Sequence, residues 1–97
     1  MNPTEKRITW DLAKNQTNKK KHKISFEEAA TVFYDLLSLT VDDPEHSVYE
    51  RRFHIIGESD KGRLIVVTFF EGAGEIRIIN AQKPTRLERK NYEEIRG

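Results

Sequence analysis

The chain contains no cysteine. Disulfide staples and thiolate zinc sites are therefore excluded, and a reducing compartment suits the protein. Long hydrophobic runs are also missing. The longest apolar stretch, Leu64 to Phe70, is far short of the roughly 20 residues that span a bilayer. The first ten residues, Met1 to Trp10, lack the apolar segment of a secretory signal. These absences point to the cytoplasm and away from a membrane. Internal repeats and low-complexity linkers are absent too. With 97 residues, positions 1–97 read as a single domain. So small a domain has one core and little room for an internal cavity, which favours an active site spread over a sheet face.

Hydrophobic residues make up 36% of the chain and charged residues 34%. This is polar for a globular domain but too rich in Ile, Leu, Val and Phe for disorder. The net charge of +1 conceals segregation. Residues 1–24 carry a balance of +5, residues 25–50 a balance of −7 with no Lys or Arg, and residues 51–97 a balance of +3. Such blocks either form separate surface fields that steer charged partners or intermix on folding. The acidic block serves solubility or meets basic segments of a partner.

Lys6 to Trp10 reads as a first strand. Asp11 caps a polar helix running to about His22, whose apolar members, Leu12 and Ala13, lie near its start; most of it is expected to be solvated or to face a ligand. Ser25 and Glu28 form a capping box. Phe26, Ala29, Ala30, Phe33 and Leu37 then make one buried helical stripe. Leu37 to Val41 reads as a strand ended by Asp42-Asp43-Pro44. Arg52 to Gly57, Arg63 to Phe70 and Glu75 to Ala81 are three further strands joined by short turns. Alternation places Arg77, Ile79 and Ala81 on one face of the last strand and Ile76, Ile78 and Asn80 on the other. Thr85 and Glu88 make a second capping box, and Leu87 and Ile95 are expected to dock the final helix. The order β-α-α-β-β-β-β-α implies an α+β fold, a small mostly antiparallel sheet with two N-terminal helices and a C-terminal helix.

Particular residues accompany this order. Trp10-Asp11-x-x-Lys14, Asn18-x-x-Lys21-His22-x-Ile24-x-Phe26-Glu27-Glu28-Ala29, Asp43, Arg52-Phe53 and Ile56-Gly57 come first. Gly62-Arg63-Leu64-Ile65-Val66-Val67, Ile76-Arg77-Ile78-Ile79-x-Ala81 and Glu88-Arg89-x-x-Tyr92-Glu93 follow. The ordered set, over residues 8–94, resembles the BrnT family of toxins. That resemblance implies a RelE-like fold and metal-independent cleavage of RNA. It also implies neutralisation by a BrnA-like ribbon-helix-helix antitoxin, with operator DNA bound through the toxin–antitoxin complex. Three positions depart from the family pattern. Lys23 stands where the family has Gly, Arg51 where it is often acidic, and neutral Gln82 where it tends to carry a cation, with Lys83 beside it.

Cleaving RNA without a metal requires a base to help the 2′-hydroxyl attack phosphorus, cations to stabilise the phosphoryl oxygens, and an acid for the departing 5′-oxygen. Arginine suits the second task through its planar fork, and histidine the first or third. Arg77, a charge between two isoleucines on a short strand, is the first candidate; otherwise it pairs with Glu75 or Glu88. Arg63 and Arg52 start neighbouring strands, are expected near one edge of the sheet, and are candidate phosphate contacts; otherwise they are ordinary edge-strand charges. His22, in the basic run Lys19 to Lys23, is the candidate proton-transfer residue; otherwise it caps its helix. Lys14, Lys83, Arg86, Arg89 and Tyr92 are candidates to line the RNA path, Tyr92 by stacking or as a helix anchor. His54 reads as structural and His46 as solvated. Three scattered histidines without cysteine give no metal-site spacing, so no metal or other cofactor is expected. The alternative to an enzyme is a noncatalytic nucleic-acid-binding or regulatory module on the same fold; a pure protein-interaction domain is the third reading.

Overall fold

A computed structural model describes residues 6–96. The elements follow the expected chain order. They are β1 (Arg7–Trp10), α1 (Leu12–His22), α2 (Phe26–Thr31), β2 (Leu39–Asp42), β3 (Arg51–Glu58), β4 (Leu64–Gly72), β5 (Glu75–Gln82) and α3 (Arg86–Arg96). The strands form one sheet in the order β1-β5-β4-β3-β2. β1 runs parallel to β5, and the other neighbours are antiparallel. No helix among the described residues is long and apolar enough to cross a membrane.

Helix α1 starts where the Asp11 carboxylate accepts from the Lys14 amide at 3.0 Å. Lys19, Lys20, Lys21 and His22 fill its last turn and complement the negative end of the helix dipole. It stops at Lys23, which sits in the left-handed region at φ 61°. A Cβ is strained in that conformation, which explains why glycine suits this position. As expected, α1 is mostly solvated, with only Asn15 and Asn18 buried, and it is docked through those two amides. Asn15 accepts from the Phe26 amide (2.8 Å) and donates to Glu27 (2.9 Å). Asn18 donates to the carbonyls of Ile24 (2.9 Å) and Ala81 (2.8 Å) and accepts from the Ala81 amide (3.1 Å). Both side chains are buried with their polar atoms partnered, so a helix without an apolar stripe still packs.

Helix α2 is shorter than its stripe suggested. Ser25 caps it, accepting from the Glu28 amide at 3.0 Å, but the Glu28 carboxylate turns away to Arg63 and Ser59. The chain tightens into a 3₁₀ turn at Val32–Tyr34, which leaves Leu37 outside the helix and about half exposed. On α3 the box is reciprocal. Glu88 accepts from the Thr85 amide (2.7 Å) and Thr85 from the Glu88 amide (3.1 Å).

One face of the sheet carries Phe53, Ile55, Ile65, Val67, Phe69, Ile76 and Ile78, packed against Ile24, Phe26, Ala29, Val32 and Phe33 beneath α1 and α2. Phe69 stacks on Phe53 (5.5 Å between centroids) and meets Phe33 edge-on (4.9 Å). Gly57 lies where a Cβ would come within 3.0 Å of Ser38 and Val32, so the chain needs its missing side chain there. The alternation expected for β5 breaks at a bulge. Ile78 pairs with Phe69 but Asn80 pairs with Thr68. The extra residue, Ile79, returns Ala81 to the core face and sends Asn80 to the other.

The docking expected for α3 also needs correction. Leu87 and Ile95 are largely exposed, and Tyr92 is the buried anchor, its hydroxyl donating to Asp35 at 3.1 Å. The acidic block does not form a separate field. Glu28 meets Arg63, Asp42 meets Arg51, Asp43 meets Arg52 and Glu50 meets Arg77, all cations of the third block. The lysines of α1 stay exposed.

Candidate active site

The sheet face opposite the core is only partly covered. Helix α3 lies over one end of it, where Leu39, Ile56 and Val66 meet Tyr92 and Asn91. The strand register fixes what lies beyond α3. Arg52 pairs with Phe70, and Phe70 pairs with Arg77. Thr9 of β1 continues this row beside Arg77. The next row toward α3 holds His54, Thr68 and Asn80. Two arginines therefore flank one aromatic ring on an open face, two strands or about 10 Å apart.

Each arginine is held by a carboxylate. Arg77 donates to Glu50 at 2.8 Å, and its guanidinium lies over the Phe70 ring, 5.1 Å from the centroid. The Arg52 Nε stands 3.2 Å from Asp43 without hydrogen-bond alignment. Asp43 is the hub of the second cluster. It contacts His46 Nδ1 through both oxygens (3.0 and 3.1 Å) and His54 Nε2 at 2.9 Å. The other ring nitrogen of His54 meets the Thr68 hydroxyl at 2.8 Å. The hydrogen bond from His46 is the main cause that holds the Asp43 carboxyl below its ordinary range; burial opposes it and the bond from His54 adds to it.

The other sequence candidates lie elsewhere. Arg52 and Arg63 do not share an edge. Arg63 stands at the β3–β4 turn and Arg52 at the far end of that hairpin, six to seven residues or about 20 Å away. Arg63 makes a two-pronged pair with Glu28 and also donates to the Lys23 carbonyl at 3.1 Å. It lines a cleft with Lys83, Arg89 and the buried Tyr92. Lys14 and His22 line a different groove, between α1 and the Ile79–Asn80 bulge. Arg86 is exposed at the start of α3. The structure thus brings Arg52 and Arg77 together and sets Lys14 with His22, and Arg63 with Lys83 and Arg89, in two flanking clefts. Sequence reasoning missed Glu50, Asp43 and Phe70. The Asp43-x-x-His46 spacing was a legible signal for one pair, but nothing local marks Glu50 or Phe70. Among the described residues, no group of three or more His, Asp or Glu has metal-holding geometry.

The Glu28–Arg63 pair has a pH consequence. The Arg63 hydrogen bond, with Ser59 assisting and burial opposing, holds the Glu28 carboxyl below its ordinary range. A carboxyl with a lowered folded-state pKa contributes stability that is fully present above its unfolded value, about 4.3, and is lost as pH falls through the folded value. Stability should therefore fall on acidification below about pH 4.3. Urea melts across pH 3–7 on the wild type and Glu28→Gln are expected to converge at the acid end.

The sequence profile of the ribonuclease toxin BrnT, of type II toxin–antitoxin systems, matches residues 10–88. The chain belongs to the BrnT family. The match takes in Asp43, Glu50, Arg52, Phe70 and Arg77. The 1.1 Å crystal structure of the Brucella abortus ribonuclease toxin BrnT has a similar fold, with a TM-score of 0.65 at 23% identity over 84% of this chain and 99% of that one. No curated protein sequence shows a significant match. The BrnT family is one of RNA-cleaving toxins, so its members act on RNA and belong with an antitoxin.

Proposed function

We propose that this BrnT-family chain is a cytoplasmic endoribonuclease toxin on a RelE-like fold. It cleaves RNA by attack of a 2′-hydroxyl on the adjacent phosphorus, without a metal ion, on the open sheet face. A BrnA-like ribbon-helix-helix antitoxin neutralises it, and operator DNA is reached only through the toxin–antitoxin complex. The observation that carries this reading is the Arg52–Phe70–Arg77 row. A guanidinium fork binds phosphate oxygens and stays charged throughout the reaction, so two of them can stabilise the pentacoordinate phosphorane. Phe70 offers a face on which an unpaired base stacks. Lys14 and His22 on one flank, and Lys83, Arg86 and Arg89 on the other, extend the path for the rest of the strand, while Arg63 is held by Glu28.

The experiment is expression with a soluble-protein control. Induction of the chain alone should arrest bacterial growth, and coexpression of the cognate antitoxin should relieve the arrest. Normal growth at confirmed soluble expression contradicts an active toxin. A second reading, a noncatalytic nucleic-acid-binding module, is favoured by one observation: both arginines of the row are already paired with carboxylates. Salt-sensitive RNA binding without cleavage is the result that selects it.

A further inference from the structure

Metal-free RNA cleavage needs a group that removes the 2′-hydroxyl proton, and the geometry restricts where that group stands. The attacking oxygen lies about 3–3.5 Å from the phosphorus. The base must lie within about 2.6–3.2 Å of that oxygen. The arginine fork grips oxygens of the same phosphate at about 2.7–2.9 Å. Base and phosphate-holding guanidinium are therefore immediate neighbours.

Glu50 meets this requirement. Its Oε1 accepts from Arg77 Nη2 at 2.8 Å, and its side chain is 48% exposed beside a 44% exposed Arg77. Arginine has five N–H donors, so Arg77 can keep Glu50 in place through Nη2 while its remaining donors hold phosphate. The other acidic groups around the row are committed elsewhere. Asp43 is shared among His46, His54 and Arg52. Glu75, two residues along β5, takes the Thr9 hydroxyl at 2.7 Å at the β1 edge. Glu71 lies on the core side of β4 and pairs with Lys6 at 3.8 Å. His54 has both ring nitrogens engaged.

We propose that Glu50 is the general base of this site, a role that rests on reading the chain as a metal-independent ribonuclease. The carboxylate takes the 2′-hydroxyl proton as the 2′-oxygen forms its bond to phosphorus. The bond from phosphorus to the 5′-oxygen breaks, and that oxygen takes a proton from water. The products are a 2′,3′-cyclic phosphate and a 5′-hydroxyl. Glu50 then returns its proton to solvent. Arg77 orients the base and neutralises the phosphate within one contact, which accounts for a carboxylate standing against the cation that substrate needs.

The test is Glu50→Gln, because glutamine can still accept from Arg77 but cannot take a proton. With single-stranded RNA in EDTA, kcat should fall by about 10²- to 10⁴-fold. The acidic limb of the wild-type pH–rate profile should vanish in the variant, while Glu50→Asp keeps that limb at a reduced rate. Binding of an uncleavable 2′-deoxy oligonucleotide of the same sequence should be retained or tightened, and the melting temperature should hold. Unchanged or faster cleavage by Glu50→Gln overturns the proposal and makes Glu50 a mask over Arg77. Loss of oligonucleotide binding also overturns it, since Glu50 would then act by placing Arg77. If the wild type itself cleaves no RNA in EDTA, the reading beneath the proposal fails with it; wild-type cleavage beside an unaffected Gln variant sinks the proposal alone.

Discussion

Arg77→Ala should lower the RNA-cleavage rate by about 10²- to 10³-fold while leaving the fold almost unchanged. Removing one transition-state contact of this kind costs about 2.7–4 kcal/mol of barrier. The structural loss is much smaller. The Arg77–Glu50 pair is nearly half exposed on both sides, and pairs of that kind contribute about 0–1 kcal/mol. The stacking on Phe70 adds roughly 0.5–1 kcal/mol at such a site. Ile76 and Ile78 keep the core face of β5 filled without it. The variant should also remain bound by the antitoxin. Cleavage rate and thermal melting on one preparation decide the matter: wild-type cleavage makes Arg77 peripheral, and a collapsed melt makes it structural.

Arg63→Ala should behave in the opposite way. The Glu28 side chain is only 2% exposed, and Arg63 is its principal partner. Deleting the arginine leaves a buried carboxylate with Ser59 at 2.7 Å and Lys61 only at 4.0 Å. Breaking a buried pair from one side costs about 3–5 kcal/mol; because Arg63 is partly exposed, the low end, about 3 kcal/mol, applies. In a domain of this size each kcal/mol moves the melting temperature by about 4–8 °C, so a fall of roughly 12–24 °C is expected. Adding Glu28→Gln to Arg63→Ala removes the stranded charge and should recover part of the loss. A melting temperature within a degree or two of wild type would show that Arg63 is not a structural residue and return it to the phosphate-binding candidates.

The two arginines show what the sequence reveals and where it stops. In the sequence both read as strand residues beside apolar neighbours, Arg77 within one strand and Arg63 at the start of another, and nothing local separates their roles. What separates them is the tertiary partner. Glu28 is local enough to read as a capping residue for Ser25, yet its carboxylate crosses 35 residues of chain to Arg63. Strand limits and chain order were legible because caps, turns and apolar periodicity are local signals. The bulge at Ile79 left only an ambiguous trace, since the adjacent Ile78-Ile79 pair that breaks the alternation is equally ordinary in a strand covered on both faces. The docking of α1 was not legible, because Asn15 and Asn18 carry no apolar signature. Glu50 lay hidden in an acidic block whose charge says nothing about which carboxylate folds back onto β5. Tyr92 was weighed as both RNA contact and anchor, and only its burial within the folded chain assigns it to the anchor of α3.

The central claim is that this sheet face cleaves RNA with side chains alone. The most direct test is the chemistry of the product ends. Purified chain, incubated with single-stranded RNA in excess EDTA, should release fragments ending in a 2′,3′-cyclic phosphate or its hydrolysed 3′-phosphate, opposite a 5′-hydroxyl. Activity lost in EDTA and restored by Mg²⁺, or fragments carrying a 5′-phosphate and a 3′-hydroxyl, would contradict it.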